Sequence, residues 1–345
     1  MIKKNLVFLI FIIVFVGAIL FPKVGVIEIN NFYEEKVKEQ SFEILFLGDV
    51  MLDRTVFSKT QEAGDFNHPF LLINDFLNKK DIVFANLESP ITNNKSISAG
   101  GVGSQRMKFT ASPGFVGSLG DKFDILGLAN NHMLDFGEDG YKQTKNYLIQ
   151  EGVLFFGDLR NREENLSLIL EKNGIKIGLV GYHGLYSKNF PVVISSIRKI
   201  KENCDFVVVV PHWGPEYKEY PSESQKQEGR AFIETGADLV VGGHPHVIQS
   251  IEKYKGKYIF YSLGNFIFDQ YFSKETMEGF GLEVTFSTKE NNLDVSYGLF
   301  PYLINNNSQP YLATGEDKIR ILNKLANISD LGYNLEEGIK RGFIK

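Results

Sequence analysis

The chain reads as an α/β protein on three observations. Short apolar runs rich in Val, Ile and Phe recur along it, several of them unbroken, as in strands buried on both faces. Segments of helical character lie between the runs, and this alternation is the pattern of α/β layering. The runs also end repeatedly in Gly-, Asn- or His-rich punctuation. An α/β sheet gathers its ligands at such places, beyond the carboxyl ends of its strands.

Composition sets the outer bounds. The 345 residues are 43% apolar and carry a net charge of -5. With an amino-terminal segment set aside, about 300 residues remain, enough for one large domain or two small ones. No basic face is evident, which argues against nucleic-acid binding. Cys204 is the one cysteine, so no internal disulfide can form. It reads as a small buried apolar residue ahead of a strand.

Taken in order, the first element is apolar. Lys3 and Lys4 precede Leu6–Phe21, which carries no charge. At about 16 residues it is shorter than the ~20 that span a bilayer comfortably and longer than most signal-peptide cores. Gly17-Ala18-Ile19-Leu20 is a poor cleavage site, and no cysteine is available for lipidation. Residues 1–22 are therefore expected to be an uncleaved signal anchor, with a cleaved signal peptide as the alternative. The lysines hold the amino end in the cytoplasm. The expected location is the cell membrane, single-pass, with the globular part extracytoplasmic. Residues 23–41, with Glu34, Glu35, Lys36, Lys38 and Glu39, read as a charged tether.

The globular part is expected over 42–300, with 301–345 as a C-terminal cap of the same domain. Strands are expected at Ile44–Leu47, Ile82–Ala85, Ile125–Ala129, Ile175–Gly181, Phe206–Val210, Leu239–Val241 and Tyr258–Ser262. Helices are expected at Gly140–Glu151 and Ser222–Thr235, and near Glu316–Ala326 in the cap. No internal repeat or low-complexity segment interrupts them.

Five of the strand ends carry groups that can bind metal. Gly48-Asp49 places a carboxylate after a sharp turn, and Glu88 closes Asn86-Leu87-Glu88. Asn130-Asn131-His132 offers a neutral amide oxygen beside an imidazole that can act as an acid near neutral pH. His212-Trp213-Gly214 follows a valine run. Gly243-His244-Pro245-His246 holds two imidazoles in a rigid turn, where they can face two adjacent ions or chelate one. Each also has a plain structural reading. Asp49 could cap a turn, Glu88 could be solvated, Asn131 could make an Asx-turn and His212 could be an interior residue. Asp53 is expected to be a cap or to back the site. Asp135 could orient His132 or cap the next helix. His183, after Gly181-Tyr182, reads as structural, and His68 as incidental.

Together Asp49, Glu88, Asn131, His212, His244 and His246 combine carboxylate, amide and imidazole without thiolate. That is unlike a structural zinc module. It suits two hydrolytic cations about 3.5–4 Å apart. Mn, Fe or Zn would each accept such donors.

The order of these motifs resembles a known family. Gly48-Asp49-Val50-Met51, Ala85-Asn86-Leu87-Glu88, Leu128 through Gly137, His212-Trp213-Gly214-Pro215-Glu216-Tyr217, Gly236-Ala237-Asp238 with Gly243-His244-Pro245-His246, and Tyr261 through Phe266 look like the CapA/PgsA proteins of bacterial capsule and poly-γ-glutamate biosynthesis. The resemblance covers roughly residues 42–270. That family is similar to the calcineurin-like metallophosphoesterases, which implies a four-layer α/β/β/α sandwich and two divalent metal ions. It implies that Asp49 serves the first metal and Glu88 bridges both. Asn131, His212 and His244 serve the second metal, and His246 the first. His132, with Asp135, is implied as the acid for the leaving group. Asn86, Asn130, Trp213 and Asn265 are expected behind the ligands or against substrate. The wider superfamily begins with Asp-x-His, and here Met51 stands at the His position, one protein ligand short. The implied role is a hydrolase acting on an anionic polymer or phosphoester. The alternative is a non-catalytic, metal-holding subunit of a capsule polymer synthesis and export complex at the membrane.

Overall fold

Successive residues of a strand face opposite ways, and β1 (Ser41–Val50) shows the consequence. Ile44 and Phe46 belong to one buried cluster, Leu45 and Leu47 to another. The computed structural model describes residues 41–98, 107–185, 189–289, 292–329 and 331–345. They belong to a unit running from Glu39 to Lys345. The expected anchor lies outside the described residues, as does the expected tether apart from Ser41, which opens β1. Among the described residues no helix is long and apolar enough to cross a membrane.

The remaining strands are β2 (Ile82–Leu87), β3 (Ile125–Gly127), β4 (Leu154–Phe156), β5 (Ser167–Lys172), β6 (Ile175–His183), β7 (Phe206–His212), β8 (Leu239–Val241), β9 (Ile251–Tyr254), β10 (Lys257–Phe260), β11 (Asn265–Ile267), β12 (Glu278–Lys289), β13 (Asn292–Ile304), β14 (Pro310–Leu312) and β15 (Phe343–Ile344). The helices are α1 (Arg54–Ala63), α2 (Asn74–Leu77), α3 (Val116–Lys122), α4 (Gly137–Glu151), α5 (Phe190–Lys201), α6 (Glu223–Thr235), α7 (Gly315–Ile328) and α8 (Tyr333–Lys340). One sheet runs β14-β13-β12-β1-β2-β3-β4, with β11 on β1 and β15 on β13; the other runs β5-β6-β7-β8-β10-β9. The strands that bear the predicted site, β1, β2 and β3 in one sheet and β7 and β8 in the other, are parallel to their neighbours in that set.

Three apolar clusters define the layers. Ile44, Phe46, Phe84 and Ile125 of the first sheet meet Ile177, Leu179, Val208, Leu239 and Phe260 of the second in one core. On the first sheet's other face, Leu45, Val83 and Leu126 pack against Val56 of α1, Leu119 of α3 and Leu148 of α4. On the second sheet's other face, Val180, Val207, Val240 and Ile259 pack against Ile197 of α5 and Phe232 of α6. The order is helix, sheet, sheet, helix, and it follows from the period-two alternation of apolar residues on strands buried on both sides.

The ends of several elements differ from expectation. The strand expected at Ile125–Ala129 stops at Gly127, because Leu128 N–H turns to the Phe156 carbonyl and Asn130 N–H back to Leu128. The strand expected at Tyr258–Ser262 is Lys257–Phe260. Helix α4 starts at Gly137, and α6 follows a Ser222 cap whose hydroxyl accepts from Gln225 N–H while the Gln225 side chain accepts from Ser222 N–H. The long β12–β13 hairpin was not expected, and the 300/301 boundary falls inside β13.

Close backbone approach positions the site. Asp49 N–H donates to the Gly264 carbonyl at 3.2 Å, and a Cβ on Gly48 would stand 1.9 Å from that same oxygen. Only glycine lets β1 and the segment leading into β11 lie this close. Gly48→Ala is expected to push the two apart and destabilise the fold by about 3 kcal/mol, the upper end of overpacking costs. A lowered urea midpoint would show it; an unchanged midpoint would refute the close-packing argument.

His183, at the end of β6, is structural as expected. It is fully buried; its N–H donates to Asn161 Oδ1 (2.8 Å), Asn161 Nδ2 donates to its carbonyl (3.0 Å), and Nδ1 lies 3.0 Å from the Leu159 carbonyl. Burial disfavours the imidazolium and takes its pKa down to about 4, against the opposing pull of the Leu159 carbonyl. The unfolded chain would take up this proton near pH 6.5, so His183 adds stability above that pH and loses it as pH falls toward 4. Between about pH 7.5 and about pH 4.5 the wild type should lose roughly 2–3 kcal/mol more than His183→Gln does. Urea unfolding of both proteins at the two pH values measures that difference, and equal losses would contradict it.

Candidate metal centre

The predicted ligands meet at the facing carboxyl ends of the two sheets. Asp49 lies at the end of β1, Glu88 follows β2, Asn131 follows β3, His212 ends β7, and His244 and His246 sit in the turn after β8. The last turn is held in an unusual conformation. His244 and His246 both have positive φ, 93° and 59°, a region that side chains other than glycine seldom adopt. Gly243 lets this turn approach the first sheet, since a Cβ there would stand 2.9 Å from Asp49 Oδ1.

Glu88, His212 and His244 form one triad, and Asp49, Glu88 and His246 a second, each with donor atoms within 4.8 Å of one another. Glu88 is shared. In the first triad His244 Nδ1 lies 3.2 Å from His212 Nε2, and Asn131 Oδ1 lies 2.8 Å from that same nitrogen. In the second, His246 Nδ1 lies 3.5 Å from Asp49 Oδ2 and Nε2 3.7 Å from Glu88 Oε1.

The electrostatics are those of a site short of positive charge. Glu88 is fully buried and neither of its carboxylate oxygens has a hydrogen-bond partner. Burial first, then the carboxylates of Asp49, Glu216 and Asp135, push its pKa well above the usual carboxylate range. Burial and then His244 hold His212 well below the ordinary imidazole value, and burial and then His246 take His244 down to about 2. These imidazoles are neutral, with lone pairs to offer, as metal ligation requires. An orphaned buried carboxylate between neutral imidazoles fits divalent cations.

Amide side chains hold the ligands in place. Asn86 Nδ2 donates to Asp49 Oδ1 at 2.7 Å and lies 3.3 Å from His212 Nδ1. Asn130, fully buried, donates to Asn86 Oδ1 (3.0 Å) and to the Leu87 carbonyl (2.8 Å), just ahead of Glu88. Asn265 Oδ1 sits 2.9 Å from His246 Nδ1, while its Nδ2 donates to Gln270 Oε1 and the Thr276 carbonyl. Such partners set the tautomer and ring orientation of a ligating histidine.

His132 stands apart from the triads. It is partly exposed, and its Nδ1 lies 2.8 Å from Asp135 Oδ2, which also accepts from Phe109 N–H. The Phe109 ring lies 4.1 Å from the His132 ring. Of the two readings of Asp135, the structure has it orienting His132. Asp53 caps α1, accepting from Arg54 N–H. Trp213 does not meet a substrate surface: it is fully buried, stacks on Phe232 and Tyr261, and donates from Nε1 to the Tyr261 carbonyl. The large apolar ring goes to the core beneath α6, so it braces the strand end behind His212. His68 lies in a short turn of helix that the site does not use.

Two groups near the site were not singled out by sequence reasoning. Glu216 forms a third triad with His244 and His246, again with donor atoms within 4.8 Å of one another. It lay inside a quoted motif, but an exposed Glu after a Pro carries no signal of its own. Arg54 pairs with Asp269 and lies over the rings of Phe109 and Phe268, which flank His132 and His246. No sequence spacing marks it.

The comparisons with known proteins agree with the order of motifs. The family profile described as "Bacterial capsule synthesis protein PGA_cap" matches residues 43–270. The "PGA biosynthesis protein CapA" of Bacillus subtilis (strain 168) is 33% identical over 256 residues, covering 68% of this chain and 66% of that protein, just under two thirds. The "Capsule biosynthesis protein CapA" of Bacillus anthracis is 29% identical over 346 residues, covering 91% of this chain and 82% of that protein. Among solved structures, a hypothetical protein from Thermus thermophilus is similar over 75% of this chain and 99% of its own, with a TM-score of 0.45 and 16% identity. On the profile match and the two curated relatives, the chain belongs to the CapA family of bacterial capsule and poly-γ-glutamate biosynthesis proteins.

Proposed function

We propose that the chain is a membrane-anchored, extracytoplasmic protein of capsule or poly-γ-glutamate biosynthesis and export. Its site is a two-metal hydrolytic centre of the metallophosphoesterase type, acting on a phosphoester or a related cell-envelope substrate. One observation carries the hydrolytic part. Glu88 is a fully buried carboxylate with no hydrogen-bond partner, shared by two triads of different composition. Burying such a charge unpaired is costly, and two cations bridged by it would relieve the cost.

Glu88, Asn131, His212 and His244 would hold one cation, and Asp49, Glu88 and His246 the other. Divalent ions bound there supply positive charge for phosphoryl oxygens and a water acidic enough to attack near neutral pH. The chain's own residues do the rest. Asn86 and Asn130 tie Asp49 and the backbone before Glu88 to one hydrogen-bond chain, so the carboxylates keep their spacing. Asn265 accepts from His246 Nδ1, which leaves Nε2 as the free lone pair. Asp135 accepts from His132 Nδ1, so the proton of the imidazolium form is held at Nε2 for the departing oxygen. Phe109 shields one face of that ring.

A second reading rests on Met51. Its side chain is fully buried in the helix-side core, and its sulfur accepts from Asp53 N–H at 3.1 Å. The first cation is thus one strand-borne ligand short. In this reading the chain is a metal-holding, non-catalytic subunit of a polymer synthesis and export complex.

Full-length protein in detergent should hold two equivalents of a transition metal by elemental analysis and hydrolyse aryl phosphate esters with Mn²⁺. His132→Ala should lower kcat by about 10²–10⁴-fold with the metal content unchanged. No hydrolysis with any divalent ion, and polymer export intact in His132→Ala and Asp49→Ala cells, would select the scaffold reading.

A further inference from the structure

We infer that Glu216 is the missing protein ligand of the first cation, replacing from a loop of the second sheet the imidazole that β1 does not supply. The inference rests on the two-metal reading above and adds a residue to it.

The shortfall comes from Met51, whose thioether is packed among Leu45, Leu47 and Val56 on the far side of the first sheet. Its sulfur accepts from Asp53 N–H there, so Met51 offers the first cation no donor. Glu216 offers one: its carboxylate lies within 4.8 Å of the donor atoms of His244 and His246.

The loop is fastened to the histidine turn. Tyr217 N–H donates to the Pro245 carbonyl at 2.8 Å, between the two histidines. The Tyr217 ring packs 6.1 Å from the His246 ring, and its hydroxyl accepts from Gln270 Nε2 at 3.1 Å. Gln270 in turn accepts from Asn265, the residue that orients His246. Both Gly214 and Tyr217 have positive φ, 82° and 60°, in the turn that carries Glu216. A solvated surface acid needs none of this. Glu216 is exposed on its outer side, so the ligand closes the site from the mouth.

The donor sets then differ in kind. Asp49, Glu88 and Glu216 give the first cation carboxylate oxygens and His246 one nitrogen. Glu88, Asn131, His212 and His244 give the second an even mix of oxygen and nitrogen. Hard oxygen donors suit Mn²⁺, and imidazole suits zinc, so the first position is selective for the harder ion.

The test is Mn²⁺ titration of the full-length protein, read by calorimetry and by electron paramagnetic resonance. Wild type should take up two equivalents, with the spectrum of a spin-coupled pair. Glu216→Gln should keep one equivalent, weaken the other by at least about tenfold, and show the spectrum of an isolated Mn²⁺. Glu219→Gln, an acid on the same loop that pairs with Lys324, should change neither measurement. Two equivalents of unchanged affinity and a coupled spectrum in Glu216→Gln would overturn the ligand assignment and leave the two-metal reading standing. A wild type that takes up no Mn²⁺ or Zn²⁺ would overturn both.

Discussion

A carboxylate that has lost its water and gained no hydrogen bond is the constraint around which this molecule is arranged. Glu88 has no exposed surface, and both its oxygens are unpartnered. The backbone gives it no freedom to escape. Its N–H donates to the Val50 carbonyl at 2.8 Å, and Asn130 holds the carbonyl just before it. The neighbouring groups do not neutralise it. The imidazoles of His212 and His244 are held neutral by burial, and Arg54 is paired with Asp269. In the protein alone, the remaining way to lower the cost is to bind a proton, which is why its pKa rises so far. A cation is the other way.

The rest of the fold can be understood as what holds that carboxylate in place. Two sheets present the ends of their parallel strands to each other; glycine at 48 lets β1 lie against the Gly264 backbone, and glycine at 243 lets the histidine turn approach the Asp49 carboxylate, where a Cβ would collide. Between the rims runs a chain of amides, Asn130 to Asn86 to Asp49, with Asn86 also against His212. Amides suit this task because they hydrogen-bond strongly without adding charge to a site already rich in it. Trp213 contributes from behind, its ring locked by stacking and by one hydrogen bond to the Tyr261 carbonyl. The strain at His244 and His246 persists because these surroundings determine it.

Most of this was legible because α/β chemistry concentrates where strands stop. Unbroken runs such as Phe206–Val210 announce a strand buried on both faces, and the first polar residues after such a run lie at the rim. Asp49, Glu88, Asn131, His212, His244 and His246 all follow from that logic. The β12–β13 hairpin was harder to see. Its inward residues Phe280, Leu282, Val284 and Phe286 do alternate, but Gly279 and Gly281 between them weaken the strand pattern. The Trp213 side chain escaped for another reason. Sequence puts it beside His212, and only the pleat puts its ring on the opposite side. Glu216 and Arg54 could not be found at all, because each is brought in by contacts between segments distant in sequence.

The replacement of a strand-borne imidazole by a loop-borne carboxylate changes what kind of site this is. Strand ligands are positioned by the ladder and by two packed faces, and they move little. Glu216 is fastened by one backbone hydrogen bond and the Tyr217 ring, and its outer side is in water. On that inference one cation position is built into the core, and the other is completed at the surface. The departure at Met51 thus separates the two halves of the centre by rigidity as well as by donor type. It makes the half nearer solvent the one on which a difference between catalyst and scaffold would turn.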